Sequence, residues 1–266
     1  MTFGKKILST SLFLFFYTAH STANGLEDLH KALATLTGSH NITATLSAQH
    51  KSIIDENDIT TGDITLTLKS NQQDLQIQYN TKTLHKLAEE QTHQLNHPVE
   101  ASNSKKKEKN ATKTQYPTIE AMKRIEPIDM LNMLSSANAL SRFINAINFI
   151  KEENVELNNE DVRLLTFNTP INTIIKHPKT REYVDEFDGK YHLWINKQGI
   201  PLQAELSFKG KGSFYLIFSI KAEVNRKSIF RVVNNRLVTT EEHRYQSSKH
   251  SFGSNEYNET NILTVQ

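Results

Sequence analysis

Eleven histidines and no cysteine define much of the chemistry open to this chain. Without a thiol there is no thiolate nucleophile, no disulfide and no thiolate metal ligand. His93 and His97 are four residues apart, a spacing that puts both rings on one face of a helix. A zinc-protease helix reads H-E-x-x-H; here Gln94 stands where the general base would be, and Pro98 ends the helix. His40, His50, His85, His177, His192, His243 and His250 show no ligand spacing, so no metal and no cofactor is expected. Asp185, Glu186 and Asp188 bring carboxylates together. Two such groups about 5–10 Å apart do acid–base work on a glycoside, but adjacent acids ahead of FDGKYH read more economically as a wet turn. There is no G-x-S-x-G elbow. FKGKGSF lacks the spacing of a phosphate loop and lies between two strand-like segments, which makes it a hairpin turn. A serine served by distant His and Asp residues stays open.

Two further features have both a bland and a sharp reading. Lys105, Lys106 and Lys107 could meet an anionic lipid surface or a polyanion, yet so short a run fits a solvated loop. Trp194, the single tryptophan, shares a face of KYHLWIN with His192 and Asn196. It is either a ligand or partner contact or an amphipathic side chain at a sheet boundary.

The elements that would carry these residues follow from periodicity. Leu26, Leu29, Leu33 and Leu36 recur at helical spacing, with Glu27 and Asp28 in the first turn and Gly38 as a stop, predicting a helix over 26–37. Period two then takes over. Ile42, Ala44, Leu46 and Ala48 alternate with polar residues, as do Ile64, Leu66 and Leu68, and then Leu75, Ile77 and Tyr79. These are three strands with one wet face. LHKLAEEQTHQL reads as a helix or lid. Residues 99–118 contain ASNSKKKEKNATKTQ, without periodicity or large apolar residues, and read as a flexible excursion within one domain. A helical block over 119–150 follows, broken by Pro127. The rest alternates again through VRLLTF, KYHLWIN, PLQAELSF, SFYLIFSIKAEV, SIFRVVN, RLVTTEEHRY and NILTV, with short turns at Lys197-Gln198-Gly199, Gly210-Lys211-Gly212 and Asn234-Asn235. This is an antiparallel meander. In FYLIFSI, Phe214, Leu216, Phe218 and Ile220 share one face and Tyr215 and Ile217 the other. A strand apolar on both faces is expected at the centre of a sheet, where its first face would either pack as ordinary core against the helices or form the wall of an apolar cavity.

The first residues predict the compartment. Lys5 and Lys6 precede the apolar stretch 7–17, and the small residues Ser21 and Ala23 suit a signal peptidase, placing cleavage after Ala23. The apolar stretch is shorter than the ~20 residues a bilayer span needs. Removing the two lysines leaves 29 basic residues against 29 acidic ones, so the mature chain is formally neutral and lacks the footprint of a nucleic-acid binder.

The order VRLLTF, KYHLWINKQGIPLQAELSF, GSFYLIFSIKAEV, SIFRVVNNRLVTTEEHRY resembles exported bacterial proteins of the outer-membrane lipoprotein carrier and envelope sensor superfamily. LWINKQGIPLQAEL carries the likeness most specifically, and it extends over 25–95 and 155–265. The resemblance implies a half-barrel, a curved antiparallel sheet whose concave face holds helices and can take acyl chains. It brings no catalytic motif, and no functional residue of the carriers maps onto a position here.

These readings converge on an α+β fold. Residues 1–23 form a signal peptide. Residues 24–266 form one domain, a curved antiparallel sheet with helices 26–37 and 119–150 on its concave side. The expected function is non-catalytic: a periplasmic or secreted binding or carrier module for a lipid or lipidated chain, using Phe214, Leu216, Phe218 and Ile220. The alternatives are a structural or assembly subunit of an envelope complex with a protein partner, and an envelope hydrolase. No membrane span is expected in the mature chain.

Overall fold

The computed structural model describes residues 24–55, 58–71, 74–97, 116–214 and 218–266. The expected signal peptide, Leu216 and most of the 99–118 excursion, with Lys105, Lys106 and Lys107, lie outside them. The chain runs α1 (Gly25–Thr35), β1 (Ile42–Ile54), β2 (Asp58–Ser70), β3 (Leu75–Tyr79), α2 (Thr81–Asn96), α3 (Pro117–Met122), α4 (Pro127–Leu134), α5 (Ser136–Ile144), β4 (Asn148–Leu157), β5 (Glu160–Asn168), α6 (Ile171–Ile174), α7 (Pro178–Arg181), β6 (Val184–Ile195), β7 (Pro201–Phe214), β8 (Phe218–Val233), β9 (Arg236–His250) and β10 (Gly253–Val265). Ten strands form one open sheet in the order β3-β2-β1-β10-β9-β8-β7-β6-β5-β4, and every pairing is antiparallel. The fold is therefore α+β. The β1–β10 pairing joins strands from both sides of the 99–118 excursion, with Leu46 opposite Leu263. Among the described residues no helix is long and apolar enough to cross a membrane.

Two expected elements differ. The helical block does not reach residue 150. It is three short helices ending at Ile144, and Asn148 opens β4. β4 is an edge strand with most residues exposed, so its sequence NFIKEENVEL never develops a clean apolar alternation. Asn158 and Asn159, at φ 53° and 66°, supply the tight turn into β5. FYLIFSI is not one central strand either. β7 ends at Phe214 and β8 begins at Phe218, with the two residues directly opposite each other. The segment straddles a strand reversal at the end of the sheet, which its continuous apolar run disguised.

Directly opposed residues on neighbouring antiparallel strands share a face, so one ladder can be followed across eight strands: Ile64, Ala48, Asn261, Glu242, Ser228, Ala204, Leu193, Leu165. Its two ends belong to two apolar cores. Leu29, Leu33, Ala137 and Leu140 of α1 and α5 bury with Leu165, Leu193 and Ala204. Ala121, Met130, Met133 and Leu134 of α3 and α4 bury with Ala48 and Ile64. Each fully buried leucine contributes about 1.5–3 kcal/mol. The helices thus cover one face of the sheet, and the ladder between the two cores is polar.

The start of α1 is tied down at several points. Asn24 caps it by accepting the Glu27 amide, Glu152 Oε2 accepts the Gly25 amide at 2.9 Å, and Arg163 donates to Asp28 at 2.8 Å.

Candidate functional site

The helices end partway along the strands. On the helix-facing side the buried apolar side chains of β6 and β7 are Tyr191, Leu193, Ile195 and Ala204. One ladder further towards the β7–β8 end, apolar packing gives way to Glu259, Arg244 and Arg226, which lie side by side on β10, β9 and β8. Two adjacent guanidiniums are tolerated because each has a carboxylate: Arg226 pairs with Glu242, and Arg244 lies 3.8 Å from Glu259. Tyr257 and Asn261 donate to Glu259 at 3.0 and 2.8 Å, and Ser136 on α5 meets Thr239 at 2.7 Å. Burial, with the Glu259 charge behind it, pushes the Tyr257 hydroxyl up to about 12. Burial likewise raises Tyr191. These groups, Tyr257 apart, line a cavity of about 250 Å³ beneath α4 and α5. Each of its arginines is matched by a carboxylate within the sheet, and the Ser136–Thr239 bond ties α5 to the sheet.

Beyond this polar belt no helix among the described residues covers the same face. Phe208 and Val224 are directly opposed there, and Phe187 and Ala222 flank Gly210 in the next ladder. All four apolar residues are half-buried. The rings of Phe187 and Phe208 stack at 5.8 Å between centroids. Gly189 makes room for them: a Cβ there would stand 2.8 Å from the Phe187 ring. At the strand ends Ile54, Ile220 and Phe252 are exposed, Phe252 by 72%.

The opposite face of the same half is charged. A cavity of about 680 Å³ is lined across β6 to β10 and β1 by Lys209, Lys211, Lys221 and Lys249, by Glu186, Asp188, Glu223 and Glu256, and by Ser247 and Ser254. Lys211 pairs with Glu186 at 2.6 Å and Lys209 with Glu223 at 3.4 Å.

The residues singled out in the sequence scatter over this frame. Phe214 and Phe218 face each other across the β7–β8 end, and Ile220 is 48% exposed opposite His250. Phe214 and Phe218 thus belong to different strands, and Leu216 lies outside the described residues. Phe187, Phe208 and Val224 form a further apolar surface beside the helices. EFDGKYH and LSFKG do show these aromatics at alternate positions, but two flanking glycines and the acids diluted the pattern. Asp185, Glu186 and Asp188 lie within β6 rather than in a turn. Asp185 accepts from Ser213 at 2.8 Å, and Asp188 lies 3.7 Å from Lys190. His93, in the last turn of α2, and His97, its C-cap, stack at 4.3 Å, and His93 meets the Tyr116 hydroxyl at 3.3 Å. Trp194 packs edge-on to His192. His50, which had no distinguishing spacing, is buried under α3 beside Tyr257 with its Nε2 unbonded.

What the strands and helices define is an α+β protein with an open ten-stranded antiparallel sheet, half of it covered by helices. No protein-family model and no curated protein sequence matches the chain. One solved structure, described as MucB in complex with MucA(peri), is similar at 8% identity and a TM-score of 0.23, over 90% of this chain and 92% of that one. A TM-score that low carries no argument about fold or partner.

Proposed function

We propose that this protein is an exported, non-catalytic binding module whose ligand occupies the helix-free half of the sheet. The observation that carries the reading is the stacked Phe187–Phe208 pair beside Val224, half-buried on the helix-facing side just past the last helix. A sheet does not gain by leaving aromatic rings partly wet beside a finished core, whereas a bound apolar chain would complete their burial. A lipid or lipidated chain fits that surface, with Ile220 and the Phe214 and Phe218 positions at its outer end. In this reading the sheet curves around the ligand as a half-barrel, and the chain works in the periplasm or outside the cell after cleavage behind Ala23. Cleavage there would leave Asn24, the cap of α1, as the first residue. Burying one such side chain is worth about 1.5–3 kcal/mol, so a few contacts reach micromolar affinity after ordering costs.

Native mass spectrometry of protein taken from its own envelope tests the reading. The expected result is a bound acyl species that is absent from a folded Phe208→Asp variant. Ligand-free protein that also ignores a fluorescent fatty acid at tens of micromolar (a generous ceiling for a carrier) removes the lipid version. The second reading, an assembly subunit gripping an apolar segment of an envelope protein, is favoured by the exposed Ile54, Ile220 and Phe252 at the strand ends. Co-purification of one stoichiometric partner without a small ligand would select it. Esterase or glycosidase activity lost on Asp185→Ala or His93→Ala would replace both readings with a hydrolase.

A further inference from the structure

We propose that Lys211, Lys221 and Lys249 form a binding site for a multivalent anion, a group carrying two or more phosphate or sulfate charges. The proposal rests on reading the helix-free half of the sheet as a ligand surface, and adds to it the face turned away from the helices.

The register supplies the first observation. Lys211 is directly opposite Lys221, and Lys221 is directly opposite Lys249. Three ammonium groups therefore stand in a line across β7, β8 and β9, spanning about 10 Å at ordinary strand spacing. Like charges directly opposed across strands are destabilising. Lysines often guard sheet edges against unwanted pairing, but these three strands are interior, so that role is not available.

The second observation is incomplete neutralisation. Glu186 lies at the β6 end of the ladder and pairs with Lys211. Among the described residues neither Lys221 nor Lys249 has an ion pair. Asp188, Glu223 and Glu256 also face the cavity, but from the row two residues further along each strand, about 7 Å away, where Lys209 takes Glu223. The acids therefore limit how far an anion can move inward from the ladder.

The third is the room above the lysines. The cavity of about 680 Å³ is their common space, and Ser247 and Ser254, which share the lysines' face, add hydroxyl donors. A multivalent anion there would relieve the repulsion the register imposes.

Calorimetric titration of the full mature chain with sodium tripolyphosphate is expected to give saturable one-site binding that weakens about tenfold as salt screening sets in. The Lys221→Gln/Lys249→Gln variant should lose at least tenfold in affinity while its melting temperature stays level or rises, because repulsion has been removed. Glu223→Gln/Glu256→Gln should bind more tightly. Sedimentation with phosphatidylcholine vesicles, with and without cardiolipin, whose head group carries two phosphates, separates the sources. Binding only to the anionic vesicles, lost in the lysine variant, assigns a lipid head group; binding of tripolyphosphate alone assigns a soluble polyanion. If neither probe binds, or if the lysine variant binds like the parent, the proposal is overturned. Fatty-acid binding retained in that case would leave the apolar site standing, so the two readings fail separately.

Discussion

Glu242 shows how one side chain can keep two neighbouring arginines in place within the sheet. It is 7% exposed and pairs with Arg226, whose neighbour across the ladder is Arg244. Removing the carboxylate leaves two guanidiniums side by side under α4 and α5. Arg226 still has 36% of its side chain exposed, so water recovers part of the loss, and the cost falls below the ~3–5 kcal/mol of a fully buried pair. Glu242→Ala should lose about 2 kcal/mol in urea unfolding, and an Arg226→Met/Glu242→Leu pair should lose less than the single change. Gly189 makes a sharper case. A Cβ there meets the Thr169 carbonyl at 2.7 Å and the Phe187 ring at 2.8 Å. The backbone contact cannot move aside, because the Thr169 amide is bonded to the Gly189 carbonyl at 2.9 Å. Gly189→Ala should therefore cost about 1–3 kcal/mol by overpacking. If its melting temperature equals the parent's, the Phe187 ring is not held where it is described.

At the scale of elements, α3 sits over β1 and β2 on a titratable group. His50 is 7% exposed. Gly62 opposite it on β2 leaves room for the ring, and the Ala121 amide of α3 lies close above that glycine. Burial, then the charge of Arg124, pulls the His50 pKa below its ordinary 6.5, against the smaller opposing pull of Glu120 and Glu259. The unfolded chain therefore binds this proton more readily than the folded one. Stability from a neutral His50 is complete above pH ~6.5 and is lost as pH falls towards the folded pKa. Urea unfolding at pH 7.5 and 5.0 should show a larger drop for the parent than for His50→Gln. Equal drops would mean that His50 does not titrate with folding. β4 illustrates how an element resists unwanted partners. Its edge carries Lys151, Glu152, Glu153 and Glu156, which discourage pairing with a second copy.

At the scale of the molecule, the β1–β10 pairing closes the longest loop in the fold, with Ala44 opposite Val265. Without β10 the N-terminal strands would be separated from β9, and Leu263 would leave the core it shares with Leu46 and Leu66. A chain truncated after Phe252 should fail to give a cooperative melt and should collect in the insoluble fraction. A soluble, cooperatively melting truncation would show that the sheet divides into independently stable halves. So many long-range strand pairs also predict refolding in milliseconds to seconds rather than microseconds, which stopped-flow fluorescence of Trp194 can follow.

Some of this was readable from residue order alone. Alternation in 42–48, 64–68 and 75–79 gave three strands because each has one wet face, and the leucine spacing gave α1 to within two residues of its ends. The Asn234-Asn235 turn followed from the left-handed backbone that asparagine tolerates, observed at φ 50° and 59°. The class α+β followed from these periods. Tertiary structure decided the rest. An edge strand has no buried face to impose a pattern, so β4 was indistinguishable from the end of a helix. An apolar run does not reveal where the chain reverses, so FYLIFSI looked like one strand although two meet there. The candidate sites are set by register: the Phe187–Phe208 stack joins residues 21 apart, and the lysine ladder joins positions 211, 221 and 249. Which side chains stand opposite each other depends on the lengths of turns and on register shifts such as those between Val184 and Glu186, Trp194 and Ile195, and Ile229 and Phe230. Because a one-residue slip exchanges the two faces of a strand, these neighbours exist only once the whole sheet has formed.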